Sequence, residues 1–372
     1  MRNRSAYLDE DDVRVRASRG SRPRTRRRPA HDSAPEAFVV SVDRGRYGCL
    51  LIPDDLIPDD PVPGDSVPGE PVPGDPVPAD RLVTAMKARE LGRNSVVVGD
   101  RVSLAGEVSG APGTLARIVR VTDRTSVLRR SPDDTDPSER IVVANADQMV
   151  IVCALADPEP KTRFVDRCLV AAYDAGLSPL LVLTKADLAS PRKMRAFYRP
   201  LGLPMLTTRR PLPAATLTRL RSALAGRLSV FIGQSGVGKS TLVNELIPDA
   251  DRAVGTVNAV TGKGRHTSSS AIALRLPAPG SGARRGSRQA DGSRRAGPGW
   301  LIDTPGVRGF GLGHVTPDRV VEAFGDLADG IADCPPGCDH RSEGCALDAW
   351  AAAHDADARL ASLRRLLRSC AR

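Results

Sequence analysis

Aromatic residues and lysine are both scarce in this chain. Aromatic side chains make up 3% of the 372 residues, which argues against recognition of nucleic acid mainly by base stacking. Lysine accounts for six of the 54 basic residues, so arginine, which can pair bidentately with phosphate, carries nearly all of the positive charge. No apolar run is long enough to span a bilayer, and the N-terminus lacks the apolar core of a signal peptide, so no membrane partner is expected.

Cysteine is also sparse, with seven residues in the whole chain, so a disulfide framework of the secreted kind is not expected. We therefore expect a cytoplasmic protein. The length is sufficient for two to three domains. A net charge of +10 and an isoelectric point of about 9.6 favour an anionic partner such as RNA.

A glycine-rich segment, Gly233-x-x-x-x-Gly238-Lys239-Ser240, matches the phosphate-binding loop of nucleotide-binding proteins. It follows an apolar run with strand character at 228–232 and precedes helical apolar spacing at 241–246, which is the context that such a loop needs. Lys239 is expected to reach the β- and γ-phosphates, and the Ser240 hydroxyl to bind Mg²⁺. A glycine-rich turn that matches by chance is the alternative. The predicted phosphate-binding residues are Gly233, Gln234, Ser235, Gly236, Val237, Gly238, Lys239, Ser240 and Thr241.

A second motif, Thr184-Lys185-Ala186-Asp187, follows the apolar run 179–183 and so lies at the carboxyl end of a predicted strand. The Asp187 carboxylate could accept two hydrogen bonds from the N1–H and N2–H₂ edge of guanine, which adenine lacks. Thr184 stands where asparagine is usual, and its hydroxyl can still make one polar contact. The Lys185 stem can lie along the base. A simple turn at the strand end is the alternative.

A third motif, Asp303-Thr304-Pro305-Gly306, follows another apolar strand run. Asp303 is expected to hold Mg²⁺ through water, and the Gly306 N–H to sense the γ-phosphate. Many GTPases place a water-orienting glutamine directly after this motif, but this chain has Val307. Because valine cannot orient water, intrinsic hydrolysis is expected to be slow or to depend on another group.

The segment 262–269 lies between the phosphate loop and the third motif. Within it, the Thr267 hydroxyl is expected to complete the Mg²⁺ shell together with Ser240 and Asp303. His266 is a candidate for positioning the attacking water, with a solvated loop residue and a contact to a partner as alternatives. The predicted catalytic residues are His266, Lys239 and Thr267.

The order of the motifs is unusual, because the base-reading motif normally comes last and here precedes the phosphate loop. In this chain the base reader comes first, followed by the phosphate loop, the switch segment 262–269 and the Asp-x-x-Gly motif. This order predicts a circularly permuted GTPase domain. Asp187 argues against a phosphate-loop ATPase or a small-molecule kinase, because its carboxylate would select guanine.

A cluster of four soft or borderline ligands, Cys334, Cys338, His340 and Cys345, falls within twelve residues near the C-terminus. Three cysteines and one histidine form a closed tetrahedral set, which favours a structural zinc ion. A disulfide or free thiols are the alternative. The following run 355–368 predicts a basic amphipathic helix that packs on this region or contacts RNA; its apolar residues are Leu360, Leu363, Leu366 and Leu367.

Short β-rich runs separated by turns fill the region from Ala37 to about Arg140 and predict a small five-stranded barrel such as an OB-fold. Such barrels commonly bind single-stranded nucleic acid. Arginines cluster late in this region, and phosphate contact is the favoured interpretation, with a solvated basic face as the alternative. These arginines are Arg117, Arg120, Arg124, Arg129 and Arg130.

These motifs together resemble the ribosome small-subunit-dependent GTPase A family (RsgA, also called YjeQ). The resemblance covers residues 36–370, and the spacers between the first two cysteines and between His340 and the last cysteine are one residue shorter here than is usual. It implies an OB-fold, a permuted GTPase core and a C-terminal zinc domain, with a slow GTPase that the small ribosomal subunit stimulates and a catalytic role for His266. Further runs that carry the resemblance are Val97–Val102, Arg124–Arg130, Asn145–Gln148, Gly264–Thr267 and Asp303–Arg308.

We therefore predict a multidomain chain. A disordered basic tail (1–35) precedes an OB-fold barrel (36–140), a permuted α/β GTPase domain (141–325) and a small α-helical zinc domain (326–372). Two compositionally biased insertions are expected within it: an acidic proline-rich repeat at 53–80 and a Gly/Arg-rich stretch at 280–299.

The predicted function is hydrolysis of GTP to GDP and phosphate by a monomer that binds the small ribosomal subunit and its rRNA and assists late maturation of that subunit. Mg²⁺ with GTP and one structural zinc ion are the expected cofactors. The alternative is an RNA-binding zinc protein that uses nucleotide mainly as a structural ligand.

Overall fold

Short runs of apolar and β-branched residues form the first five strands, which close into a barrel in the computed structural model. β1 pairs with β2 and β4, β3 pairs with β2 and β5, and β5 pairs with β4, so each strand has a neighbour on both sides. β3 and β5 run parallel, and the other barrel pairs are antiparallel. The OB-fold-like barrel predicted from the sequence is confirmed. The strands are β1 (Glu36–Asp43), β2 (Arg46–Leu51), β3 (Leu82–Lys87), β4 (Arg101–Gly106) and β5 (Ala116–Val121).

Six further strands form the sheet of the GTPase domain. Its order is β10-β9-β8-β11-β13-β12, and all neighbours run parallel except β12, which is antiparallel to β13. β8 and β11 are buried along their whole length, as expected for central strands covered on both faces. The strands are β8 (Gln148–Ala154), β9 (Ser178–Thr184), β10 (Met205–Thr207), β11 (Leu228–Gly233), β12 (Ile272–Arg275) and β13 (Trp300–Asp303).

The strand order shows the circular permutation directly. The phosphate-loop strand β11 lies in the middle of the sheet, yet β8, β9 and β10 on one side precede it in the chain and β13 on the other side follows it. The base-reading motif therefore comes from the first half of the domain. The helices of this domain whose bounds lie within the described residues are α1 (Thr162–Asp174), α2 (Arg192–Tyr198), α3 (Ala214–Leu224) and α4 (Lys239–Leu246).

The structure describes part of the chain, and several predictions fall outside it. The segment 53–80 lies wholly outside the described residues, and the tail 1–35 and the insertion 280–299 lie almost wholly outside them. His266, Thr267, Gly306 and Val307 also lie outside. The described residues are 34–52, 81–91, 96–131, 139–248, 250, 271–277, 299–305, 311–342 and 344–370.

The barrel and the GTPase sheet are joined. Ser41 of β1 pairs with Ile272 of β12, and the ring of Phe38 packs against that of Trp300 with centroids 5.1 Å apart. A hairpin of β6 (Val127–Arg130) and β7 (Arg140–Ala144) leads from the barrel into the GTPase domain. The predicted boundary at 140/141 stays a prediction. The barrel has an apolar core of its own, while Val40, Val98 and Leu128 are buried in the core of the GTPase domain.

Three of the motifs that carry the family resemblance meet at this junction. The fully buried Asp100 carboxylate accepts hydrogen bonds from Arg124 at 2.7 and 2.8 Å and from the Val97 N–H at 2.8 Å. The Asn145 amide donates to the Gly99 carbonyl at 2.9 Å and accepts from the Thr125 N–H at 2.8 Å. The Arg124 guanidinium is thus engaged inside the protein, and the interpretation of Arg124 as a phosphate contact is replaced by a structural role.

Four helices near the C-terminus pack against the GTPase domain. Leu360, Leu363, Leu366 and Leu367 of the last helix are buried in the same apolar core as the central sheet, so the predicted amphipathic helix packs on the protein. No helix among the described residues is both long and apolar enough to cross a membrane. The helices are α5 (Pro317–Glu322), α6 (Ala328–Ala332), α7 (Ala346–Ala353) and α8 (Asp357–Cys370).

A buried polar cluster ties α8 to the domain. The Arg359 guanidinium donates to Asp166 of α1 at 3.0 Å and to Asp326 at 2.9 Å, and its carbon lies 4.3 Å from the centroid of the Phe324 ring. Ser362 and Tyr198 also donate to the Asp166 carboxylate. Burial raises the pKa of Asp166, and Arg359 opposes that rise most strongly.

Candidate nucleotide site and metal centre

The phosphate loop has the backbone that its glycines allow. Gly236 and Gly238 have φ angles of +80° and +92°, which side-chain-bearing residues rarely adopt. A Cβ atom at Gly233 would lie 2.9 Å from the Val152 carbonyl oxygen, so the loop also needs glycine where it leaves β11. The loop then enters α4 at Lys239, and the first-turn N–H groups of that helix favour bound phosphate.

Lys239 links this loop to the third motif. Its side chain is buried, and Nζ donates to the Asp303 carboxylate and to the Thr304 carbonyl oxygen. The Thr304 hydroxyl donates in turn to the Phe231 carbonyl of β11 at 2.7 Å. These contacts join the carboxyl ends of β11 and β13, which lie side by side because the two strands pair in parallel.

The base-reading motif contacts the phosphate loop from the other side. The Thr184 hydroxyl donates to the Val237 carbonyl oxygen at 2.6 Å. The threonine that stands in place of the usual asparagine therefore makes a polar contact with the phosphate loop. Lys185 has a φ angle of +59°, and its Nζ donates to the Asp157 carbonyl oxygen in the loop after β8. The stem of Lys185 is thereby fixed across the strand ends.

Asp187 is exposed at the rim of the same edge of the sheet. One of its oxygens accepts the Arg210 backbone N–H at 3.0 Å. This hydrogen bond is the main reason that the pKa of Asp187 lies below its usual range. The side chain is therefore ionised at neutral pH, and an ionised carboxylate is the form that accepts hydrogen bonds from a base.

The loop after β10 is a part of the site that sequence reasoning missed. Thr208 accepts the Ala186 N–H at 3.0 Å and donates its own N–H to Leu183 at 2.8 Å, while Arg210 contacts Asp187. The loop after β8, with Asp157, was missed as well. Neither loop carries a recognisable motif; the signal available was that each follows a strand whose carboxyl end faces the phosphate loop.

The structure thus brings the described residues of the predicted nucleotide site to one edge of the sheet. The base reader contacts the phosphate loop through Thr184 and Val237, and the phosphate loop contacts Asp303 through Lys239. The Ser240 hydroxyl and the Asp303 carboxylate are hard oxygen donors of the kind that Mg²⁺ prefers. The roles assigned to individual residues of this site stay predictions.

The four predicted metal ligands also come together. One ligand atom from each of Cys334, Cys338, His340 and Cys345 lies within 4.8 Å of all the others. The Cys345 sulfur lies 3.4 Å from that of Cys334, 3.7 Å from that of Cys338 and 3.7 Å from His340 Nδ1. A tetrahedral zinc ion with Zn–S bonds of about 2.3 Å would need sulfurs about 3.8 Å apart. The shorter spacers therefore still allow these side chains to hold a metal ion.

The surrounding residues support the geometry of this cluster. The Arg364 side chain donates to the His340 carbonyl at 3.0 Å and pairs with Asp348 at 2.7 Å. The pKa of the Cys345 thiol is raised to about 11, and burial of the thiol is the largest of the causes. A metal ion bound here would displace that proton, so binding would release protons.

The fold and the site together define a circularly permuted phosphate-loop GTPase. Residues 121–283 match the RsgA GTPase family. The small ribosomal subunit biogenesis GTPase RsgA of Pseudomonas aeruginosa is 41% identical over 284 residues, which cover 74% of this chain and 76% of that protein. The protein of the same name from Pseudomonas syringae pv. tomato is 39% identical over 261 residues, 68% of each chain. The chain belongs to the RsgA GTPase family.

Solved structures agree on the fold. YjeQ from Thermotoga maritima superposes with a TM-score of 0.59 at 21% identity, covering 90% of this chain and 98% of that one. YloQ, described as a circularly permuted GTPase, superposes with a TM-score of 0.58 at 18% identity, covering 92% and 97%. Both likenesses extend over at least 90% of this chain and support its fold, and the description of YloQ agrees with the permuted order of the motifs here.

Proposed function

We propose that this chain hydrolyses GTP, binds the small ribosomal subunit and assists its late maturation, with hydrolysis stimulated by that subunit. The observation that carries the proposal is the meeting of base reader, phosphate loop and Asp303 at one sheet edge, in a chain 41% identical to a protein named for small-subunit biogenesis. The alternative of an RNA-binding zinc protein with a purely structural nucleotide is not favoured, because the relatives are named as GTPases.

We further propose that Mg²⁺ is held by Ser240, Asp303 and Thr267 and that GTP orders the segment around Thr267. Val307 leaves the position of the usual glutamine without a group that can orient water. His266 is the candidate for that role, and docking on the subunit would bring it into place. Hydrolysis would then release the ordered segment and the partner. We expect the protein to act as a cytoplasmic monomer.

The outer face of the barrel supports rRNA as the direct contact. Arg46 of β2 and Arg117 of β5 stand on either side of Met86 of β3 in the strand register, and all three side chains are exposed. Met86 is 47% exposed, which is unusual for methionine and gives an apolar contact between two cations. This row can pair with phosphates while its centre packs on a base or a sugar.

The β6–β7 hairpin gives a route from the barrel to the nucleotide site. Ser131 at its end forms a bridge with Gly311, and its hydroxyl hydrogen-bonds to Nδ1 of His314 at 3.1 Å. Gly311 follows the Asp303-x-x-Gly306 motif closely in the chain. A shift of the barrel on docking would therefore act directly on the segment after that motif.

The barrel contact is tested by replacing Arg46 and Arg117 together with serine. We expect the variant to hydrolyse GTP alone at the rate of the unaltered chain and to need a higher concentration of small subunits for half-maximal stimulation. The control is the Arg192→Ser, Arg219→Ser variant, which loses the same charge from exposed helix positions. Stimulation of the unaltered chain should fall steeply with salt, because phosphate contacts dominate. Equal stimulation of both variants would exclude the barrel row as the contact.

We propose one structural zinc ion per chain in the Cys334–Cys345 cluster. Metal analysis of the purified protein is expected to find one zinc ion per chain, and Cys338→Ser to lose it, because three ligands hold zinc far less tightly than four. Cys49→Ala is the matched control, since Cys49 is buried in the barrel and distant in sequence from the cluster. Zinc that persists in the Cys338→Ser protein would refute the site.

A further inference from the structure

The loop after β10 carries an arginine that the nucleotide motifs do not include. The Arg210 backbone N–H donates a hydrogen bond to the Asp187 carboxylate, and Nη2 of the Arg210 guanidinium donates to the Thr241 hydroxyl at 2.7 Å. Thr241 lies in the first turn of α4, directly after Lys239 and Ser240. Arg210 therefore connects the base-reading carboxylate with the phosphate-binding segment 233–241.

The position of this charge favours the binding of an anion. The N-terminus of a helix carries a partial positive charge, and cations are normally favoured at the opposite end. Among the described residues, no salt bridge joins the Arg210 guanidinium to a carboxylate, although its charge does act on Asp187 and helps to lower the pKa of that side chain. The side chain is exposed, whereas Lys239 at the same end of α4 already pairs with Asp303. A phosphate bound at this helix end would offset the charge of Arg210.

We propose that the Arg210 guanidinium contacts a phosphate oxygen in the part of the phosphate chain that GDP and GTP share. Lys239 pairs with Asp303, on the side of the phosphate-binding segment where the γ-phosphate is expected. Arg210 is anchored instead on the side of the base reader, where the phosphates nearest the nucleoside would lie. This assignment rests on the proposed GTP site and adds a residue that sets affinity rather than the rate of hydrolysis.

The two contacts of Arg210 separate cleanly in an experiment. The bond to Asp187 comes from the backbone, so it survives any side-chain substitution at position 210. Arg210→Ala therefore removes only the guanidinium. Arg210→Lys keeps a positive charge without the planar fork, and Thr241→Val removes the hydroxyl that anchors the guanidinium. Arg209→Ala is the matched control, because Arg209 is the exposed neighbour in the same loop.

The measurement is the Kd of GDP, GTP and IDP for each full-length protein, by fluorescence titration with Mg²⁺ present. We expect Arg210→Ala to weaken GDP and GTP by the same factor, on the order of 10-fold or more for a lost charged hydrogen bond. The ratio of the GDP and IDP constants should not change, since Asp187 keeps its backbone contact. Arg210→Lys should recover part of the loss, Thr241→Val should lose less, and Arg209→Ala should bind as the unaltered chain does.

Three results would overturn the proposal. Unchanged constants for Arg210→Ala would show that the guanidinium does not contact nucleotide. A loss confined to GTP would place it at the γ-phosphate, and a changed GDP-to-IDP ratio would mean that it acts through Asp187. Failure of the unaltered chain to bind GDP at all would instead refute the proposed GTP site itself, so the two claims are distinguishable.

Discussion

Asp187→Asn is expected to transfer the preference of the nucleotide site from guanine to xanthine. The carboxylate can accept two hydrogen bonds from guanine, and such bonds to a charged acceptor are together worth about 3–6 kcal/mol. Their loss should weaken GTP binding by about 10²–10⁴-fold. Xanthine carries a carbonyl where guanine has its amino group, so the new amide N–H can donate to it. Titration with GTP, XTP and ATP measures the exchange.

The substitution should leave the surrounding loop in place. An asparagine oxygen can still accept the Arg210 N–H, so the contact between the base reader and the β10 loop persists. Asp329→Asn, an exposed carboxylate on α6, is the control and should not change any of the three affinities. A variant that binds XTP no better than the unaltered chain would remove Asp187 from the base-reading role.

Arg359→Ala is expected to destabilise the protein by about 3–5 kcal/mol, because it removes the ion-pair partner of two buried carboxylates, Asp166 and Asp326. Urea denaturation followed by circular dichroism measures the change. In the variant, the folded pKa of Asp166 should rise further above its unfolded value of about 3.9. The folded form then binds the proton more tightly, so the deficit should grow as pH rises from about 4 and shrink on acidification.

The control for this stability change is an arginine in an exposed ion pair. Arg319 pairs with Glu322 at 2.8 Å on α5, and both side chains are more than half exposed. Such a pair is worth about 0–1 kcal/mol, so Arg319→Ala should shift the transition little. A similar small change for Arg359→Ala would show that the C-terminal helix does not depend on the buried cluster.

The parts of the site that could be predicted are those in which local chemistry fixes the residue type. Gly236 and Gly238 occupy backbone conformations that favour glycine. Asp303 ends a strand that is evident as an apolar run, and Asp187 follows another such strand by three residues. Parallel strands end at one edge of a sheet, so motifs that are distant in sequence were expected to meet. The order of the motifs alone then predicted the permutation.

Contacts between distant and unremarkable residues could not be predicted in this way. Arg124 was interpreted as a phosphate contact because charge alone does not reveal the buried Asp100 beside it. The same holds for Arg359, whose partner Asp166 lies 193 positions earlier in the chain. Arg210 escaped notice because the β10 loop has no motif, although its place at a strand end makes it part of the site.

The central claim is that this GTPase depends on the small ribosomal subunit, and its most direct test is the rate of GTP turnover. The rate is measured for the full-length protein alone, with purified small subunits and with purified large subunits, in low salt. The account predicts very slow turnover alone, an increase of orders of magnitude with small subunits and little change with large ones. Lys239→Ala, which removes the charge expected at the β- and γ-phosphates, should abolish turnover in all three conditions. A rate for the unaltered chain that small subunits leave unchanged would contradict the account.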